Sequence, residues 1–373
     1  MRILVTGANG FIGKNLCIRL REEEFEVLEC TRGTTHSALT KMLLTCDHVV
    51  HLAGVNRPDN DSEFEDVNHQ FTNQLCFALS KNEHKIPILF TSSVQAGNGT
   101  PYGNSKDSAE KTLMRHQDDS NTAVTVYRLP NVFGKWCRPH YNSVVATYCK
   151  QIAHNEQILV SAPDKELTLV YIDDVVNSFI EKIRRMPAAE GYHVETVTPT
   201  YQLSLEELAK KIYSYKESRE SLFVGNVGNG LDRALYSTYL SYLGTSNFLY
   251  RLKGHSDKRG KFVEVLKTKK NGQFSFFTIE PGQTRGGHYH HTKNEKFLVL
   301  AGTATFRFRH IVSNEQYEVQ TSDKTSEVVE TIPGWAHDVS NPGSKTTTVM
   351  LWANEIFDPE RPDTYSTNLK AQT

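Results

Sequence analysis

The chain of 373 residues carries 42 lysines and arginines against 43 aspartates and glutamates, a formal net charge of −1, and 38% of it is apolar. Length and composition indicate about two globular domains, with chain enough for two cores. No block of like charge stands out, so electrostatics lends no support to a nucleic-acid or membrane-surface partner, while small anionic ligands stay open through local clusters.

Met1-Arg2-Ile3-Leu4-Val5 runs straight into a glycine-rich turn, without the apolar core and cleavage site of a signal peptide. No apolar run approaches the roughly eighteen residues of a membrane span. The six cysteines, Cys17, Cys30, Cys46, Cys76, Cys137 and Cys149, lack CxxC spacing and read as reduced thiols of a cytoplasmic protein. From residue 1 to about 190, short apolar runs alternate with amphipathic segments: ILVT, a helix through Leu20, FEVLEC, DHVVHLAG, a helix near Asn68 to Lys81, then IPILFTSS. Strands separated by helix-length segments predict a doubly wound α/β domain with a parallel sheet.

Ser204 and Glu207 form a capping-box pattern that starts a helix, expected at the substrate end of the first domain, and a further helix is predicted over Leu231 to Leu243. The pattern then turns β-like: FVEVLKT, GQFSFFTI, EKFLVLAG, TATFRFRH, QYEVQT, TSEVVETI and TTVMLWA predict a sandwich or small barrel. The expected division is therefore 1–246 and 247–373.

Thr6-Gly7-Ala8-Asn9-Gly10-Phe11-Ile12-Gly13 follows a predicted strand and opens a predicted helix, the context of a dinucleotide fingerprint. Its glycines let the backbone approach a pyrophosphate seated on the helix N-terminus. Where an NAD enzyme carries an acidic residue at the end of the second strand, this chain reads Cys30-Thr31-Arg32-Gly33, and Arg32 suits the 2′-phosphate of NADP. Tyr102 and Lys106, at i and i+4, share a helix face. A lysine and a positively charged nicotinamide would lower the phenol pKa, so that it exchanges a proton with a substrate oxygen.

TGANGFIG, HLAG at 51–54, FTSS, YGNSK, RLPNVFG at 128–134 and YIDDVV at 171–176 resemble, in order, the motifs of the extended short-chain dehydrogenase/reductases, over about the first 245 residues. The resemblance implies a cofactor site at Gly7, Asn9, Gly10, Phe11, Ile12, Gly13, Arg32, Leu52, Ala53, Gly54 and Lys106, and a catalytic set of Tyr102, Lys106 and Ser93. Only eight residues separate Ser93 from Tyr102, fewer than that family usually shows, which leaves Ser92 and Gln95 as alternatives. Arg128 and Arg138 are candidates for a substrate diphosphate, with pairing to an acidic neighbour the equal alternative.

In the second domain His288 and His290 alternate with Tyr289, so on a strand both point one way, and Glu295 and His337 can join them from neighbouring strands. Gly282 to Gly302, with its G-x5-H-x-H-x4-E-x6-G spacing, and PGWAHDVSN at 333–341 resemble the two cupin motifs. Glu295, Phe297 and Val299 share one face, as do Phe306 and Phe308, leaving Arg307 and Arg309 to solvent and His291 to the outer face or a turn. Imidazoles with a carboxylate suit one divalent metal, Zn2+ first among zinc, iron, manganese and nickel; a metal-free barrel using histidine as a base is the alternative.

A reductase and a metal cupin share a substrate if it is a 4-keto sugar, whose ketone acidifies the neighbouring C–H; epimerisation then precedes reduction. In this domain order the whole chain is similar to the CapF-like bifunctional enzymes of capsule and O-antigen synthesis. That resemblance implies C3 epimerisation of a UDP-2-acetamido-2,6-dideoxy-4-hexulose. NADPH-dependent reduction to UDP-N-acetyl-L-talosamine, the precursor of UDP-N-acetyl-L-fucosamine, follows, in a homodimer. The alternatives are a single-activity reductase whose cupin only stabilises a dimer, and a cupin dioxygenase with a nucleotide-binding sensor.

Overall fold

The computed structural model describes residues 1–58, 60–185, 191–252, 254–257, 260–263, 266, 272–355 and 360–369. The chain opens with β1 (Arg2–Thr6), α1 (Phe11–Glu22), β2 (Glu26–Cys30), α2 (His36–Thr45), β3 (His48–His51), a π-helical stretch Phe64–Gln70 running into α3 (Phe71–Leu79), β4 (Ile88–Ser93), α4 (Pro101–Ser120) and β5 (Val124–Leu129). It continues through β6 (Asn131–Phe133), α5 (Val144–Ala153), β7 (Glu166–Tyr171), α6 (Ile172–Arg185), β8 (Tyr192–Glu195), β9 (Thr200–Ser204), α7 (Leu205–Ser221) and α8 (Gly230–Leu240). The remainder is β: β10 (Leu249–Arg251), β11 (Gly254–Asp257), β12 (Gly260–Val263), β13 (Gln273–Ile279), β14 (Thr284–Tyr289), β15 (Glu295–Ala301), β16 (Thr303–His310), β17 (Gln316–Ser322), β18 (Glu327–Glu330), β19 (Trp335–Ser340), β20 (Thr347–Ala353) and β21 (Tyr365–Ser366). Of the expected strand FVEVLKT, all beyond Val263 except Leu266 lies outside the described residues.

Two compact units result: Met1–Phe133 with His140–Ser143 and Leu167–Gln202, and Gly134–Pro139 with Val144–Glu166 and Leu203–Thr373. The expected division at 246 and 247 falls inside the second unit, because α5, α7 and α8 pack on one another and group with the β-rich part. The capping box at Ser204 and Glu207 is formed, yet the helix it starts, α7, belongs to that second unit.

The first unit is built on a parallel sheet of order β2-β1-β3-β4-β5-β8. One register row crosses all six strands, Leu28, Leu4, Val49, Ile88, Val124 and Tyr192, and belongs to a single apolar cluster. Such rows explain why these strands read as continuous apolar runs: helices cover both faces of a parallel sheet. Strand order reverses at β1, with β2 on one side and β3 on the other, and at such a switch point the loops after the strands diverge to leave a crevice.

The second unit carries two five-stranded sheets, β10-β18-β15-β20-β13 and β17-β16-β19-β14-β21. All their paired strands are antiparallel, and the chain alternates between the sheets in the manner of a cupin-like jelly roll. Phe297, Val299, Phe306 and Phe308 are buried between them, with the Phe297 and Phe306 rings 5.4 Å apart. Arg307 is exposed and pairs with Asp338 at 2.8 Å. Arg309 departs from the expected solvent position: it is 6% exposed, because Thr367 and Asn368 fold over it and accept from its guanidinium at 3.2 and 2.8 Å.

On the opposite face of β15 from Glu295, Lys296 meets Glu330 of β18, and Arg219 of α7 bonds the same carboxylate. Tyr236 of α8 donates to Glu330 at 3.2 Å, and Lys296 reaches the Tyr250 hydroxyl at 3.3 Å. Burial alone would raise the Glu330 pKa, but the two cations outweigh it and hold the carboxyl below its usual range. No disulfide is formed and no helix is long and apolar enough to cross a membrane among the described residues.

Breaking a buried ion cluster from one side leaves the opposite charges uncompensated. Glu330→Gln is expected to lower unfolding free energy by about 3–5 kcal/mol in urea denaturation; a loss under about 1 kcal/mol would show that Lys296 and Arg219 find water instead.

Candidate functional site

In the first unit the fingerprint closes as a tight turn. Gly7 takes φ +67°, its carbonyl accepts from Gly10 N–H at 2.8 Å, and a Cβ on it would lie 2.8 Å from the Ala53 nitrogen. A Cβ on Gly13 would lie 2.3 Å from the Gly7 carbonyl oxygen, so the helix can approach the turn only without a side chain there. Gly10 caps α1 with no side-chain hydrogen bond, leaving Asn9 to Ile12 at a helix start suited to a phosphate. Leu52 and Ala53 lie against this turn, donating their N–H groups to Thr6 Oγ1 at 3.1 and 3.2 Å, while Gly54 stands beside Asn68 and Lys106. Arg32 is exposed two residues beyond β2.

Tyr102 sits in the first turn of α4, where Pro101 and the Thr100 cap start the helix. Ser93 stands close enough to Tyr102 that its hydroxyl acts to lower the phenol pKa. The short spacing between them is accommodated by Gly97 and Gly99 at positive φ and by Gly103, whose Cβ would lie 2.4 Å from the Gln95 carbonyl oxygen. Of the alternatives, Ser92 turns to Glu110, and Gln95 is exposed and donates its N–H to Ser93 Oγ at 3.1 Å.

Burial raises the Tyr102 pKa above 10, against the lowering effect of Ser93, so the expected depression does not prevail among the protein's own groups. Lys106 is 5% exposed, donates to the Thr91 carbonyl at 3.0 Å, and has its pKa lowered to about 8, chiefly by burial, against Glu110. Arg128 takes the structural alternative, a two-point pair with Glu110 at 3.1 and 2.7 Å.

A buried polar chain missed from the sequence joins these parts. Thr6 Oγ1 already accepts two backbone N–H groups, so its own proton goes to His51 Nδ1 at 2.7 Å. His51 is then protonated at Nε2, which donates to Thr72 Oγ1 at 2.9 Å, and Thr72 donates to the Asn68 carbonyl at 2.8 Å. Burial, followed by the charge of Lys106, lowers the His51 pKa to about 3. Asn68 holds both main-chain groups of Val55 and donates to Ser105 Oγ at 3.0 Å, next to Lys106. From the sequence, His51 was touched only as the first residue of HLAG, and a π-helical Asn68 has no local signal.

In the second unit His288 and His337 come from β14 and β19 of one sheet, His290 follows β14, and Glu295 opens β15 of the other. One ligand atom from each lies within 4.8 Å of all the others. Glu295 Oε2 is 3.3 Å from His290 Nε2 and 3.4 Å from His337 Nε2. Burial drives the His288 pKa down to about 3 and lowers that of His337, while hydrogen bonds and charge from His290 and His337 overcome burial to hold Glu295 well below the carboxylate range. Three imidazoles converging with one carboxylate are a donor set that fits a divalent cation. His291 is buried in the turn, its ring against Tyr289 and Tyr365 and outside the four.

Residues 3–194 match the NAD dependent epimerase/dehydratase family, and residues 255–365 the polysaccharide biosynthesis C-terminal domain. The chain is 50% identical, over 368 residues and 98% of both proteins, to the UDP-2-acetamido-2,6-beta-L-arabino-hexul-4-ose reductase of Pseudomonas aeruginosa. It matches the crystal structure of the capsular polysaccharide assembling protein CapF from Staphylococcus aureus at 42% identity and TM-score 0.68, covering 99% of this chain and 100% of that one. The UDP-glucuronic acid 4-epimerase of Bacillus cereus, with NAD, aligns at 19% identity and TM-score 0.52 over 58% of this chain and 84% of that one, which shows the fold alone. With both segments matched and whole-length relatives at this identity, the chain belongs to the NAD-dependent epimerase/dehydratase family, and within it to the CapF-like enzymes.

Proposed function

We propose that the chain is a bifunctional nucleotide-sugar enzyme: the second unit epimerises C3 of a UDP-2-acetamido-2,6-dideoxy-4-hexulose, and the first reduces the C4 ketone with NADPH to UDP-N-acetyl-L-talosamine, toward UDP-N-acetyl-L-fucosamine for surface polysaccharide. One observation carries it: a Tyr102–Ser93 pair beside Lys106 in one unit and a buried three-histidine, one-carboxylate cluster in the other. The name of the Pseudomonas relative, a UDP-4-keto-sugar reductase, supports the reductive half.

In the first unit, Gly7 to Gly13 would seat the pyrophosphate, Arg32 the 2′-phosphate, and Leu52 to Gly54 the wall behind them. Bound NADPH supplies the hydride. Tyr102, kept protonated by burial, gives its proton to the C4 oxygen; Ser93 orients the phenol, and Lys106 holds positive charge nearby. In the second unit His288, His290, Glu295 and His337 would hold one divalent cation, Zn2+ being our choice, which supplies positive charge to a carbonyl oxygen. Epimerisation comes first, since reduction removes the carbonyl that acidifies the C3 hydrogen. Four protein donors also fill a tetrahedral shell, as in structural zinc sites, and that favours the second reading, a single-activity reductase with a structural barrel.

The two readings separate in deuterium oxide. The bifunctional enzyme incorporates deuterium at C3 without NADPH; the exchange vanishes in His290→Ala and under chelator but survives in Tyr102→Phe. Reduction in Tyr102→Phe falls about 100- to 10,000-fold. No exchange in metal-loaded wild type leaves only the reductase, and no NADPH oxidation with any UDP-4-keto sugar removes both.

Arg32→Ala is expected to weaken NADPH binding at least about tenfold while leaving NADH binding within about twofold, read by fluorescence titration. Equal losses for both cofactors would take Arg32 out of the 2′-phosphate role.

Lys106 gives a pH test. Its folded pKa, about 8, lies below the ordinary 10.5, so between these values the unfolded chain binds more protons and stability rises with pH. Relative to Lys106→Met, the cofactor-free wild type should therefore gain about 3 kcal/mol across that window in denaturation experiments. A flat difference would mean that Lys106 is hydrated.

A further inference from the structure

His290 and the residues after it are held from outside by the end of the described chain. His290 Nδ1 bonds the main-chain carbonyl oxygen of Asp363. A carbonyl only accepts, so Nδ1 carries a proton and Nε2 is the nitrogen turned to Glu295, 3.3 Å away. The Asp363 carboxylate then gathers the next three backbone N–H groups, from His291 at 2.9 Å and from Thr292 and Lys293 at 2.7 Å each, with the Thr292 hydroxyl at 3.0 Å. Successive N–H groups around one anion form a nest, and bonds to an ionised acceptor are the stronger kind.

The rest of this segment repeats the pattern. Lys293 Nζ donates to Thr364 Oγ1 at 2.9 Å, Ser366 and Tyr365 pair with His288 and Tyr289 along β14, and Arg309 bonds Thr367 and Asn368. One strap thus touches the chain at every residue from His288 to Lys293. None of its side chains belongs to the four-residue cluster.

We infer that Asp363 is a positioning residue for the cation site: it fixes the His290 tautomer through its carbonyl and the turn's path through its carboxylate, so that the strap sets the affinity for metal. The strap and the cation are therefore linked, each tightening the other's hold on the same turn.

The inference rests on reading the four residues as a cation site, and wild-type protein tests that reading first. Apoprotein is titrated with Zn2+ against a chromogenic chelator; if no Zn2+ binds, the site reading itself fails. Where wild type binds, Asp363→Ala is expected to lose about 10- to 100-fold in Zn2+ affinity and to change the visible spectrum of the Co2+ form. Asp363→Asn, which keeps one acceptor oxygen, should fall between them. Affinity and Co2+ spectrum equal to wild type in Asp363→Ala overturn the inference. Should both variants fail to fold, full-length wild type decides: Zn2+ is expected to slow hydrogen exchange at least about tenfold in the peptide spanning 360–366, by reciprocity of coupling. Unchanged exchange there overturns it.

Discussion

The alternation of a single strand sets the terms for the second unit. Glu295 and Lys296 are neighbours on β15, and the pleat sends them to opposite faces, one into the histidine cluster and the other into the Glu330–Arg219 cluster. A slip of one residue would put an ammonium among three imidazoles and a carboxylate against a carboxylate. Two buried polar clusters on opposite faces thus act against a slipped register. Helices α7 and α8 follow, because Arg219 and Tyr236 complete the outer cluster.

The first unit solves a different problem, that of close approach to the backbone. Gly7, Gly13, Gly54 and Gly103 each stand where a Cβ would fall at 2.9 Å or less from a neighbouring heavy atom. Removing four side chains lets the turn after β1, the loop after β3 and the start of α4 converge at the switch point of the sheet. Chemistry then concentrates where the strands end, and the polar chain through His51 ties the three loops together.

Much of this was legible because it is local. Apolar runs gave β1 to β5, glycine spacing gave the turn, i to i+4 spacing placed Tyr102 above Lys106, and strand alternation paired His288 with His290. The motif resemblance supplied Ser93, and its short spacing proved compatible with the fold because glycines tighten the loop. What stayed hidden depends on closure between distant residues. Arg309 looked solvent-facing on its own strand, and only Thr367 and Asn368, far along the chain, cover it. Arg219 of α7 meets Glu330 across 111 residues, and Asp363 reaches back 73 residues to His290; no window of sequence contains either pair.

The Thr6–His51–Thr72–Asn68 chain has a consequence for how protons leave the first unit. Every link has one allowed direction: Thr6 has both lone pairs occupied, His51 is held neutral with its proton on Nε2, and the chain ends on a carbonyl that cannot release a proton. A wire must be able to reverse, and this one cannot. It is a fixed hydrogen-bond chain that holds the loops behind the glycine turn rather than a path for protons.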